Sequence, residues 1–284
     1  MSAPGDGEQL LLDGMPTRLY PAAPSRLATY ADCPRRYRMG YLDQPTPPRS
    51  GAWAHHSVGA SVHVALARWW ELPLARRTPE GGGELVVTGW SSEGFRDERQ
   101  SREHRDRARD YVERYLAAVD PEVLPLGVER TVSVRTDRAS LWGRADRIDD
   151  RPGEGVVVVD YKTGRSVLTV DDARESLALA VYAAGAARVL RREVTRVELH
   201  HLPTSTVVGW DHTDASIGGH LARADAQADT MAVLDEAFRA GMSEGEADDA
   251  FPPVVAPRCG WCEFRSSCGP GRSVPPRRPW DGLA

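Results

Sequence analysis

The chain has 284 residues, 41% hydrophobic and 27% charged, with a formal net charge of −5. That length holds one large core or two modest domains, and no stretch approaches the roughly 18 apolar residues of a membrane-spanning helix. The acidic balance argues against a nucleic-acid binder held by bulk charge, although a divalent cation in an acidic site would change that balance locally.

Residues 1–24 and 269–284 are rich in Pro, Gly and Arg without an apolar period and read as mobile tails, with 25–268 as one domain. The N-terminus lacks the basic-then-apolar pattern of a secretory signal, so the cytoplasm is the expected compartment. Ser25 can cap a helix over Arg26–Met39 that carries Cys33. Val58, Val62, Ala65, Trp69 and Leu72 keep helical spacing and predict a second helix near 52–72. A Gly/Glu/Thr loop is expected over about 78–94. The stretch 96–114 sets seven arginines against six acids. This near-neutral balance favours a solvated helix laced with i,i+4 pairs over a DNA-contacting stripe.

Three strands follow, Val128–Val134, Leu141–Asp149 and Val156–Tyr161, joined by short turns that predict an antiparallel meander. The valine run 156–159 suggests a strand covered on both faces. A helix near 172–191, a strand near 195–202 and a long helix near 213–241 complete an α-β-β-β-α-β order, an α/β domain.

Of the 36 basic residues only Lys162 is lysine. Lysine is a compact point charge whose pKa falls readily on burial, where arginine is a rigid fork that stays charged. Along a strand, Asp160 and Lys162 project to one face and Tyr161 to the other. Asp146, on the preceding strand, shares a face with Trp142, Arg144 and Ile148 and can converge with Asp160. Two carboxylates and the Tyr161 backbone carbonyl suit Mg²⁺ or Mn²⁺. Lys162 would orient a water or stabilise a developing phosphorane. Glu129 is a possible further acid. Arg144, Arg147 and Arg165 flank the acids, and Arg35, Arg36 and Arg38 lie near Cys33; all six are candidate phosphate contacts. Trp69, Trp70, Tyr37 and Tyr41 offer stacking faces, although each reads individually as ordinary core.

Gly143-Arg-Ala-Asp146-Arg-Ile-Asp149 and Val159-Asp160-Tyr-Lys162-Thr-Gly164 resemble motifs II and III of the PD-(D/E)XK nuclease superfamily, most closely its RecB-like and Cas4-like exonuclease branch. The resemblance implies a restriction-endonuclease-like core with a mixed sheet, N-terminal helices and a C-terminal cysteine region. It makes Asp146, Asp160 and Lys162 catalytic. In that branch the imidazole of Gly-x-x-x-His on an upstream helix is a metal ligand, and Gly59-Ala-Ser-Val-His63 matches. The branch often has Gln-hydrophobic-x-x-Tyr after the third strand. Here Ala178-Leu-Ala-Val-Tyr182 keeps the tyrosine and replaces the glutamine.

Cys33 and the Cys259-x2-Cys262-x5-Cys268 run can hold zinc or an iron–sulfur cluster. Their one-plus-three layout is similar to the iron–sulfur nucleases of that branch, which implies a [4Fe–4S] cluster stapling the C-terminal region to the first helix. The resulting expectation is a Mg²⁺- or Mn²⁺-dependent DNA exonuclease acting on single strands or duplex ends in repair or recombination. A Cas4-like nuclease of CRISPR adaptation is the alternative, with a helicase or a repair or CRISPR protein as possible partner. A binding module that recruits DNA or a helicase without cutting is the reading from another class.

Overall fold

The computed structural model describes residues 19–281. The expected tails therefore fall partly outside the described residues, and the parts inside are built into the fold. Tyr20–Ala22 form strand β1. At the other end, Arg277 donates its N–H to the Gly260 carbonyl, and the Pro279 carbonyl accepts from Ala54.

The first helix is two, α1 (Pro24–Asp32) and α2 (Pro34–Tyr41), with Ala23 rather than Ser25 at the N-cap. Cys33 breaks them at φ −165° and ψ 104°, because the residue before a proline is pushed out of the helical region. Helix α3 spans Ala54–Trp69. The expected loop is a helix, α4 (Pro79–Thr88), N-capped by the Thr78 hydroxyl. Its glycines serve close contact with α5 (Glu98–Leu116). A Cβ on Gly82 would stand 2.1 Å from Leu116, and one on Gly83 2.0 Å from Glu113. Outward, α5 carries i,i+4 ion pairs such as Glu98–Arg102 and Arg109–Glu113, both at 2.6 Å. Inward it buries Ala108, Tyr111, Val112 and Leu116.

Strands β2 (Gly127–Arg135), β3 (Ala139–Arg151) and β4 (Gly155–Lys162) form the predicted meander. Two helices stand where one was expected, α6 (Val170–Arg174) and α7 (Leu177–Leu190). Strand β5 (Arg196–His201) runs parallel to β4, and an unpredicted β6 (Thr206–Asp211) returns antiparallel. Helices α8 (Asp214–Arg239) and α9 (Glu244–Ala250) follow.

The result is a six-stranded mixed sheet in the order β1–β3–β4–β5–β6, with β2 on the other edge of β3. Strand β3 is its pivot. Its free edge is shared by β1, at residues 139–141, and β4, at 147–151, so residues 142–146 have no strand partner there. In β4, Val157 and Val159 pack with α3 and α5, while Val156 and Val158 pack with the α7 side. The valine run is covered on both faces, as its composition predicts.

A buried carboxylate secures the N-terminal elements. Asp235 on α8 accepts the Tyr20 and Tyr37 hydroxyls at 2.9 and 2.8 Å and pairs with Arg26 at 3.0 Å. Burial pushes the Tyr37 hydroxyl up to about 12. Tyr37 and Trp69 are thus core rather than stacking platforms, Trp70 packs against the core, and Tyr41 stays 44% exposed. Arg35 and Arg38 are taken up by Asp248 at 2.9 Å, and Arg36 by Glu263 at 3.1 Å, so these three tie α2 to the C-terminal segment rather than waiting for phosphate. No helix among the described residues is long and apolar enough to cross a membrane.

Candidate active site

The acidic residues gather at the unpartnered stretch of β3. The last β3–β4 pair is Arg147↔Val159. Beyond it the strands part at Asp146 and Asp160, and the Asp146 carboxylate accepts the orphaned Tyr161 N–H at 2.7 Å. The other Asp146 oxygen lies 3.3 Å from His63 Nδ1 on α3. On β2 the ladder pairs Val128↔Arg147 and Arg130↔Ala145, which leaves Glu129 opposite Asp146 with φ +48°.

Ligand atoms of His63, Glu129 and Asp146 lie within 4.8 Å of one another. Two carboxylate oxygens and one imidazole nitrogen form a donor set that fits a divalent cation. Asp160 turns to Lys162, whose Nζ stands 2.6 Å from Oδ2, off the direction of a hydrogen bond. The Tyr161 side chain lies on the opposite face, edge-on to His63 at 5.9 Å, and Tyr161 continues the ladder opposite His200.

Electrostatics here favour added positive charge. Burial, and then the charge of Asp146, raise the Glu129 carboxyl. Burial raises Asp160, with Lys162 opposing it and Asp146 adding to it. Burial works against a charged His63, but the hydrogen bond and charge of Asp146 outweigh it and raise its pKa. Crowding makes the negative charge here costly, and a bound cation would relieve it.

Two glycines set the spacing. A Cβ on Gly59 would meet Thr163 Oγ1 at 3.3 Å, so a bare position lets α3 approach the end of β4. A Cβ on Gly143 would meet the Tyr182 ring at 2.3 Å, so that ring lies directly over β3. Burial, with the charges of Asp160 and Asp146, pushes the Tyr182 hydroxyl up to about 12.

Two clefts meet at Gly59, His63, Asp160 and Lys162. One, of about 850 Å³, runs toward His104, Arg107, Arg114 and Arg165. The other, of about 1190 Å³, runs toward Glu129, Trp142, Arg144, Tyr182 and Gln227, with Ala178 in its wall. Arg144 pairs with Glu129 at 2.7 Å from the cleft edge. Arg147 is a correction: it is buried, paired with Asp149 at 2.9 Å, and lies over the Tyr115 and Tyr161 rings. Period two puts it on the face opposite Asp146. The sequence reading missed Trp142, 48% exposed, as a cleft residue, although it shares the strand face of Asp146. It also missed Arg107 and Arg114, because the ion-paired helix they sit on reads as solvated throughout.

No two of the four cysteines are joined in a disulfide. Cys33, Cys259, Cys262 and Cys268 line one small cavity with Phe264 and Gly271. Among the described residues no three of their sulfurs lie within 4.8 Å of one another. The N–H groups of Val254 and Gly271 each donate to a sulfur, of Cys33 and Cys268, at 3.4 Å.

The model of the PD-(D/E)XK nuclease superfamily matches residues 21–269. Fifteen chains of solved structure match. Among them is a candidate exonuclease from Eubacterium rectale, 13% identical at a TM-score of 0.51, covering 77% of this chain and 82% of that one. That likeness concerns the fold alone. No protein of curated function matches.

Proposed function

Because the chain belongs to the PD-(D/E)XK nuclease superfamily, we propose that it is a RecB-like, Mg²⁺- or Mn²⁺-dependent deoxyribonuclease. It hydrolyses phosphodiester bonds at DNA single strands or ends, in repair or recombination. The observation that carries this reading is the meeting of His63, Glu129 and Asp146 within 4.8 Å, beside the one lysine of the chain.

His63, Glu129 and Asp146 hold the cation, with Asp160 beside them. A cation held there would supply charge neutralisation at the phosphodiester and activation of the attacking water. Asp160 pairs with Lys162, Nζ to Oδ2 at 2.6 Å, which keeps the ammonium at the meeting of the two clefts. From there Lys162 donates to the attacking water or to a non-bridging phosphate oxygen as charge develops on it. An arginine would put a broad planar fork where lysine puts a compact point charge. Arg107, Arg114 and Arg165 line the first cleft and bind the flanking phosphates. Trp142 offers a stacking face in the second.

The cysteine centre holds a [4Fe–4S] cluster. In support, all four cysteines line one cavity, and their one-plus-three layout is similar to that of the iron–sulfur nucleases. Its role is structural, closing a long loop between α2 and the C-terminal segment. Anaerobic purification tests it: a brown protein with iron and sulfide is expected, and a colourless protein with one zinc refutes it. For the nuclease itself, end-labelled single-stranded DNA should be degraded with Mn²⁺ and spared with EDTA. Equal degradation in both defeats the metal-dependent reading.

A further inference from the structure

Adjoining the cysteine centre lies a second cavity, of about 560 Å³, whose wall includes Cys33, Cys259 and Cys262 together with Asp32 and Glu263. It sits between the α1–α2 break, the segment 49–53 that leads into α3, and the 3-10 turn Pro257–Trp261. We propose that it is an anchoring subsite for a DNA single strand, binding a phosphate through Arg49 and Arg258 and a base against Trp261. The proposal rests on the nuclease reading and adds where the strand is held away from the scissile bond.

The wall residues suit that ligand. Arg49 donates to the Gly40 carbonyl at 3.3 Å, and Arg258 donates to the Asp32 carbonyl. Both cations meet carbonyl dipoles rather than carboxylates and keep their charge for an anion, whereas neighbouring Arg36 is neutralised by Glu263 at 3.1 Å. The Trp261 ring is 47% exposed, a large aromatic left in water at a cavity wall. Trp53 in the same wall is only 8% exposed, yet its buried indole N–H has no partner. A buried donor without an acceptor is costly, and a ligand oxygen would satisfy it. The volume lies in the range of small-ligand pockets, about 300–1,000 Å³.

Position adds an independent argument. His55 and His56 line both this cavity and the catalytic cleft, so the two adjoin. From those histidines to His63 on the same helix is about 11 Å at about 1.5 Å per residue. A single strand covers that span with about three stacked nucleotides. A strand held at Trp261 would thus present a phosphate to the acidic site a few nucleotides away, and very short strands would miss the anchor.

The test is fluorescence anisotropy with labelled oligothymidylates, one of about twelve nucleotides and one of two, in Ca²⁺, together with cleavage of the same strands in Mn²⁺. Wild type should bind the long strand more tightly than the short one. Trp261→Ala, and separately Arg49→Ala with Arg258→Ala, should weaken binding of the long strand about tenfold and erase most of the length advantage. Trp261→Phe, which keeps a stacking face, should retain it. If wild type cuts DNA and these variants keep the full length advantage, the subsite is overturned and the nuclease reading stands. If wild type binds the long strand and the variants lose it but no protein cuts, the nuclease reading fails and the subsite survives.

Discussion

Glu129 and Asp146 face one another across the β2–β3 ladder where its pairing is interrupted, and Glu129 is held there with φ +48°. A left-handed backbone costs a residue with a side chain about 1–2 kcal/mol, and here it coincides with two crowded carboxylates. The strain is stored where the cation would bind.

Glu129→Gly separates those two effects. It should raise metal-free stability by about 1 kcal/mol and weaken Mn²⁺ binding about tenfold or more. Thermal unfolding in EDTA and a Mn²⁺ titration by calorimetry read the two quantities. A less stable variant, or one with unchanged Mn²⁺ affinity, contradicts this assignment.

Asp235 is the acceptor on which Tyr20, Tyr37 and Arg26 converge, and its side chain is 1% exposed. Asp235→Ala leaves a partly buried Arg26 and two buried hydroxyls without that acceptor and should cost about 2–3 kcal/mol. Asp235→Asn, which keeps one acceptor oxygen, should cost less. Urea unfolding of the three proteins measures the order, and equal midpoints for wild type and Asp235→Ala would count against it.

Acid stability should depend on Glu198. Burial opposes its charge, but hydrogen bonds from His200 and Arg151 and the Arg151 charge outweigh this and lower it to about 2. Burial keeps His200 below its ordinary value, so the neutral ring donates Nε2–H to Glu198 at 2.9 Å and accepts the Tyr115 hydroxyl at Nδ1. The folded pKa lies below the unfolded one, so the stabilisation is full above about 4.5 and is lost as pH falls toward about 2. It amounts to about 3 kcal/mol. Glu198→Gln should flatten unfolding free energy across that window, and an unchanged slope would exclude this carboxylate as the source.

What the sequence made legible follows from short-range periodicity. Period two in β4 puts Asp160 and Lys162 on one face, where they pair at 2.6 Å. Four-residue spacing carries Gly59 and His63 to one side of α3, where His63 reaches Asp146 at 3.3 Å. The break at Cys33–Pro34 was missed by the single helix expected over Arg26–Met39, although the proline signals it. Helix α4 was not, because packing against Leu116 and Glu113 overrides the low helix propensity of its glycines. Strand β1 was hidden because three residues carry no period and depend on distant partners, β3 and Asp235. Arg107 and Arg114 were hidden for the opposite reason, since a regular ion-pair pattern masked two residues that face the cleft.

The central claim is that the lysine beside Asp160 is catalytic in a metal-dependent nuclease. The most direct measurement compares wild type and Lys162→Ala on end-labelled single-stranded DNA with Mn²⁺. Wild type should degrade the strand, and the variant should do so about 10²–10³-fold more slowly, with folding and Mn²⁺ binding retained. Equal degradation by the two proteins, or none by either, would contradict it.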